Sequence, residues 1–228
     1  GVFSFAFSFT GILMIFAVSG INTFLTREIS RDHERMGEYM DNAFFLKGVL
    51  TLASVPVLGI MIFFSALDNE ACWVAWAIGL GLLMNGYTGI YIAAFRALEQ
   101  MRLVSILNFT QRSLFFVAGM AVLLLGYKIV PLSLVFLCVA AVNLVATRWL
   151  YSVRIEREKG EHSWIAIKDI FRNAAPLGGI ILFSYVYFRI DGIMLYYLRG
   201  EVETGWYSAA FKLIEAVDIL RKTDSNFH

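Results

Sequence analysis

Apolar residues in this chain gather in long unbroken stretches rather than alternating. Such runs occupy about 2–25, 43–65, 72–95, 103–126, 129–151 and 174–198, and a seventh begins at 205. A helix crossing a hydrocarbon core of about 30 Å needs about 20 mostly apolar residues. Its backbone then satisfies its own hydrogen bonds, which lipid cannot do. A β-barrel would instead show short segments of alternating hydrophobicity. The pattern predicts an all-α polytopic membrane protein with about seven spans. Composition agrees: 59% of residues are hydrophobic, 16% are charged and the mean hydropathy is +0.68, against about 25% charged residues in an average soluble domain.

The charges that remain are distributed unevenly. The first connection carries Arg27, Arg31 and Arg35, the third Arg96 and Arg102, and the fifth Arg148, Arg154, Arg157, Lys159, Lys168 and Arg172. The intervening connections hold only Lys128 and Arg199. Basic residues accumulate on the cytoplasmic side of membrane proteins, so connections one, three and five are expected inside and residue 1 outside. The net charge of +1 therefore reflects topology, and no nucleic-acid partner is expected. Cys72 and Cys138 form no metal-binding spacing and read as small hydrophobes in or near spans. No cofactor or metal is expected. The chain begins at a membrane boundary without Met, and its tail, "RKTDSNFH", leaves the apolar pattern. The expectation is a piece of a longer protein, with 221–228 off-pattern.

Two stretches resemble each other: "GVFSFAF" at 1–7 and "GWYSAAF" at 205–211 share Gly, Ser, Ala and Phe at the same four positions. Six crossings separate them, so both enter the membrane in the same direction. Parallel repeats of this kind are a common transporter plan. The run "GINTFLTREISRD" at 20–32, and "RIDGIMLYYLRGEVETGWYSAAFKLIEA" at 189–216, resemble the polysaccharide-unit flippases. These are the O-antigen and exopolysaccharide translocases of the multidrug/oligosaccharidyl-lipid/polysaccharide exporter superfamily. The resemblance covers the chain as far as Val217 and implies twelve or more spans in two lobes. Residues 1–172 would then be most of the first lobe (helices two to six) and its cytoplasmic linker, and 173–220 the start of the second.

Polar residues inside spans are costly unless they face protein or water. At 100° per residue, Ser4, Ser8, Gly11, Ser19, Asn22 and Thr26 share a stripe of the first span, and Lys47, Thr51 and Ser54 one of the second. Gly81, Asn85 and Thr88 align in the third, Ser105, Asn108, Arg112 and Gly119 in the fourth, and Asn143, Thr147 and Tyr151 in the fifth. The plain structural reading is helix–helix packing. The charged members point to a hydrated cationic cavity, with Lys47, Asn85, Asn108, Arg112, Asn143 and Arg189 as candidate substrate-binding residues. Arg189 and Asp191 lie about 20 Å into the sixth span. At i, i+2 they point to opposite sides of the helix and need separate partners. Asp191 is the coupling-ion candidate, for a proton or sodium ion. Tyr185 and Tyr187 are candidates for stacking on sugars, and Tyr196 and Tyr197 for an interfacial aromatic belt. Arg27 and Glu28 are candidates for a cytoplasmic gate.

The resemblance and the cationic spans together favour translocation of a polyprenyl-diphosphate-linked oligosaccharide by alternating access in a bacterial or archaeal cytoplasmic membrane. Lipid-linked oligosaccharide and membrane lipid are the expected partners, with polysaccharide polymerase and glycosyltransferases alongside. A drug or metabolite cation antiporter of the same superfamily is the alternative, and the embedded first-lobe cations Lys47 and Arg112 count against it. A membrane-embedded glycosyl- or acyltransferase is remote. His33, His162 and His228 lie outside the spans, and no H-x-x-x-x-D, D-x-x-D or G-x-S-x-G pattern occurs. The reading is of a non-enzyme.

Overall fold

The computed structural model describes residues 2–64, 68–155 and 164–212, and all its regular structure there is helical. Six helices follow in order: α1 (Val2–Arg31), α2 (Met36–Phe64), α3 (Asn69–Ala97), α4 (Met101–Leu124), α5 (Ile129–Arg154) and α6 (Trp164–Arg199). Residues 201–212 begin a further helix, α7. The helices α2 to α6 are long and apolar enough to cross a membrane. Arg157, Lys159, the side chain of Ser19 and the tail at 221–228 lie outside the described residues.

Most helices overrun their apolar stretches by a few residues, because a helix continues into the interfacial zone that hydropathy does not mark. The largest difference is in α6, which was expected from 174 but starts at Trp164. Its first turns bury Ile167, Ile170 and Ala174, so an expected linker segment is part of the packed bundle. One continuous helix thus runs across the boundary drawn at 172. The described connections are short and locally determined. Asp32 Oδ1 accepts the Glu34 and Arg35 N–H groups at 3.2 and 3.4 Å, which fixes the turn leading into α2. Gly200, at φ +89°, ends α6 in the left-handed conformation that favours glycine, its N–H donating to the Tyr196 carbonyl at 3.0 Å.

The helices pack around α1 and α3. In α3, 61% of the most apolar window is buried, against 11% in α4 and none in α6, so α3 is interior while α4 and α6 present broad apolar faces outward. The two ends of the bundle differ. At the end carrying the first, third and fifth connections, one core takes residues from all six helices, among them Leu25, Met40, Phe95, Leu107, Tyr151 and Ile170. At the opposite end the fully packed residues Ala6, Leu58, Ile62, Val74, Ala75, Ile78 and Leu83 belong to α1, α2 and α3 alone. An ion pair between Lys128 and Glu70 at 3.6 Å joins the fourth connection to the first turn of α3 there.

A close seam between α1 and α6 runs the length of the bundle. The helices are antiparallel, and their backbones approach most closely where Gly20 meets Ala174 and Gly178, on either side of Pro176. A Cβ at Gly20 would run into the Ala174 carbonyl oxygen and the Gly178 nitrogen. Further along, Tyr185 donates its hydroxyl to the Phe7 carbonyl at 3.3 Å, and Tyr196 stacks on Phe5 with centroids 3.9 Å apart. Tyr196, expected in an interfacial belt, is therefore part of the seam. Small residues that let backbones touch supply much of the attraction between helices in lipid. Gly20→Val should cost about 1–3 kcal/mol by overpacking, seen as a lower unfolding midpoint in mixed micelles. An unchanged midpoint would mean that the seam tolerates separation.

Candidate functional site

The second core takes its fully packed residues from α1 to α3, and the space left beside it is a cavity of about 290 Å³. One wall is the start of α1, with Phe3, Ser4, Phe7 and Ser8; another is α7, with Tyr207, Ser208, Phe211 and Lys212. These are equivalent positions of the two similar stretches: Phe3 with Tyr207, Ser4 with Ser208 and Phe7 with Phe211. The repeat in the sequence thus becomes two walls of one chamber. Phe188, Arg189, Asp191 and Gly192 of α6 close a third side, and Phe115 of α4 and Phe136 of α5 complete it. The aromatic lining is continuous: Phe3 stacks on Phe115 at 6.5 Å, and Phe136 meets Phe115 and Phe7 edge-on at 5.7 and 6.0 Å.

Arg189 and Asp191 both border this cavity, each with its own neighbour. The Arg189 guanidinium lies 6.0 Å from the centre of the Tyr185 ring, within the range of a cation–π contact. Asp191 Oδ1 accepts the Gly192 N–H at 2.7 Å, and Oδ2 accepts the hydroxyl of Tyr207 from α7. The 200° between i and i+2 sends the two side chains to different neighbours while both remain at the rim of one chamber. Aromatic faces, hydroxyls, two cations and one carboxylate surround the space. Such a lining can stack on flat apolar faces, hydrogen-bond to hydroxyl groups and hold an anion. Among the described residues no cluster of three or more metal-ligating side chains occurs.

The other candidates are placed elsewhere. Lys47 is fully buried in the bundle, 5.9 Å from the centre of the Tyr87 ring, and its Nζ has no hydrogen-bond partner. Thr51, one turn along the same helix face, also has an unpartnered buried oxygen. Asn85 and Asn143 are drawn together by a residue that sequence reasoning missed. Gln111 donates to Asn85 Oδ1 at 2.7 Å and accepts from Asn143 Nδ2 at 3.0 Å, so one amide on α4 clamps α3 and α5. The available signal was one more amide in an apolar span, next to the Asn108–Arg112 stripe. Asn108 is half-buried and Arg112 exposed on α4, with Arg112 one turn before the cavity residue Phe115. Glu28 lies 3.6 Å from Arg27 and from Arg31, both on its own helix. Tyr187 is 78% exposed and points away from the cavity lining. Cys138 lies within the apolar helix α5, on its exposed side.

A bundle of helices long and apolar enough to cross a membrane defines a multi-pass membrane protein. Residues 1–220 match the family of polysaccharide biosynthesis proteins, and the chain belongs to that family. Comparison with curated proteins and with solved structures gives no match.

Two substitutions separate packing from function in this region. Gln111→Leu strands the amides of Asn85 and Asn143 together and should cost about 1–2 kcal/mol of unfolding free energy. A loss no larger than that of an exposed control such as Val117→Ala would show that the clamp is dispensable. Lys47→Met removes an unpartnered buried ammonium at similar volume and should stabilise this arrangement by about 1 kcal/mol or more. Destabilisation would reveal an interaction that the buried ammonium makes.

Proposed function

We propose that this chain forms part of a transporter that moves polyprenyl-diphosphate-linked oligosaccharide units across the cytoplasmic membrane of a bacterium or archaeon by alternating access. The observation that carries the reading is the chamber between the two similar stretches, with Arg189 at its rim. A guanidinium presents paired N–H donors that match phosphate oxygens. Aromatic faces at Phe3 and Tyr207 suit the apolar faces of sugar rings, and Ser4 and Ser208 can exchange hydrogen bonds with their hydroxyls. The polyprenyl chain stays in the hydrocarbon, which the outward apolar faces of α4 and α6 adjoin. No covalent step is needed.

Family membership supports the pathway, and the asymmetry of the bundle supports the mechanism. The basic end, read as cytoplasmic, is closed by a core drawn from six helices, while the chamber lies towards the other end. In the opposite state the seam between α1 and α6 would loosen at the basic end. Arg112 and Asn108 would then extend the polar path inward along α4, with Arg27 and Glu28 at its mouth. In this reading Asp191 would take a coupling proton or sodium ion when its bond to Tyr207 is released. Arg189 and Lys212 outnumber Asp191 around the chamber, which disfavours a cationic substrate and so the antiporter alternative. Polysaccharide polymerase and glycosyltransferases would act on either side of this step.

The test is translocation of a lipid-linked oligosaccharide in proteoliposomes by the full-length protein. Arg189→Ala and Arg112→Glu should each lower the rate about tenfold or more, equivalent to one charge-assisted hydrogen bond, with membrane protein levels unchanged. Loss of rate only in proportion to loss of protein would assign both residues to structure and sink the reading.

A further inference from the structure

The cavity between the repeats has a neighbour. A wider and more open one, of about 570 Å³, lies at the same end of the bundle and is bordered by Glu70, Lys128, Glu201, Gly205 and Trp206. Trp206 is 77% exposed, and the Glu70 and Lys128 side chains are 61% and 79% exposed, so this outer chamber opens outward. Both chambers use α5, through Ile129 for the outer and Phe136 two turns deeper for the inner. Both also use α7, but on different faces. At 100° per residue, Glu201, Gly205, Trp206 and Ala209 centre about 120° away from Tyr207, Ser208, Phe211 and Lys212. The start of α7 is therefore the wall between the two spaces.

Two features control where that wall stands. Gly200, at φ +89°, is the joint between α6 and α7, and a glycine there can change its backbone angles at little steric cost. Seven residues on, the Tyr207 hydroxyl donates to Asp191 Oδ2 and ties α7 back to α6. The bond is to a carboxylate and lies on an exposed side of α7, Tyr207 being 39% exposed. It spans the joint as a clasp spans a hinge.

We propose that Tyr207 is a positioning residue: its hydrogen bond to Asp191 is the latch that holds α7 as the partition between the inner and outer chambers. Releasing it lets α7 swing about Gly200 and joins the two spaces into one path outward. The inference deepens the translocation reading, because it names the element that opens the chamber. Its test needs no substrate, so failure of the latch and failure of translocation can be told apart.

The experiment measures thiol modification in the full-length protein in membranes, with Cys72 and Cys138 replaced by alanine. Ser208→Cys places a thiol on the inner face of α7, and a charged, membrane-impermeant maleimide is added from the side of the outer chamber. With Tyr207 present the thiol should react slowly. Tyr207→Phe should raise the rate about tenfold, the equilibrium value of one hydrogen bond to a charged group. Asp191→Ala should do the same, and the double variant should react no faster than either single one, since both remove one bond. Ala43→Cys, in the core at the basic end, should stay unreactive throughout. An unchanged rate in Tyr207→Phe, additive effects in the double variant, or a matching rise at Ala43→Cys would each overturn the latch. The last would show Tyr207 holding the fold as a whole.

Discussion

At Gly20 the backbone of α1 comes so close to Ala174 and Gly178 of α6 that no side chain fits between them. This contact joins residues more than 150 apart in sequence and sets the geometry on both sides of it. Towards the basic end it lets the early turns of α6 lay Ile167 and Ile170 into the shared core. Towards the other end it fixes the line along which Tyr185 reaches the Phe7 carbonyl and Tyr196 stacks on Phe5. Arg189 and Asp191 are thereby brought opposite the start of α1. In lipid there is little hydrophobic gain from bringing apolar helices together. Close backbone approach at small residues is therefore an effective source of attraction, and a cavity can persist where the helices diverge from it.

Polar groups inside the bundle divide into those the fold uses and those it leaves without a partner. The amides of Asn85, Gln111 and Asn143 satisfy one another across three helices. Several hydroxyls, such as Thr10 and Ser54, return to their own helix carbonyls at 2.6 Å. Lys47 Nζ is left without a hydrogen-bond partner, as are side-chain oxygens of Asn22, Thr51, Gln100 and Thr147, and it lies beside the Tyr87 ring. A group that is expensive in one conformation acquires value in a conformation that supplies a partner, and this is a physical basis for two competing arrangements. The cavity has the reverse character. Its carboxylate is satisfied by Tyr207 and Gly192, and its arginine rests on Tyr185.

The order of the helices explains why so few residues make the site. Each span contributes its polar stripe to whatever lies beside it, and the chain order places α1, α6 and α7 around one space while α3 is enclosed by its neighbours. Residues that look alike on paper, such as Arg189 and Lys47, both single basic residues in apolar spans, therefore have different surroundings. The repeated stretches supply two facing walls of one cavity, lined by aromatic rings with a few polar groups among them.

The linear pattern alone established the membrane class, the long apolar helices of the described residues, the alternation of basic connections and the similarity of residues 1–7 to 205–211. Those properties follow from local rules: about 20 apolar residues make a span, and loop charge sets its direction. It also placed Arg189 and Asp191 correctly as residues in need of separate neighbours, because that depends only on the turn of one helix. Which neighbours they have was decided by tertiary structure. A stripe of polar positions marks a face without saying what the face meets. Asn85 and Asn143 met Gln111, Lys47 met the ring of Tyr87, and the two repeated stretches met each other across a cavity. The early start of α6 was hidden for the same reason, since its first turns are stabilised by burial against other helices rather than by their own hydropathy.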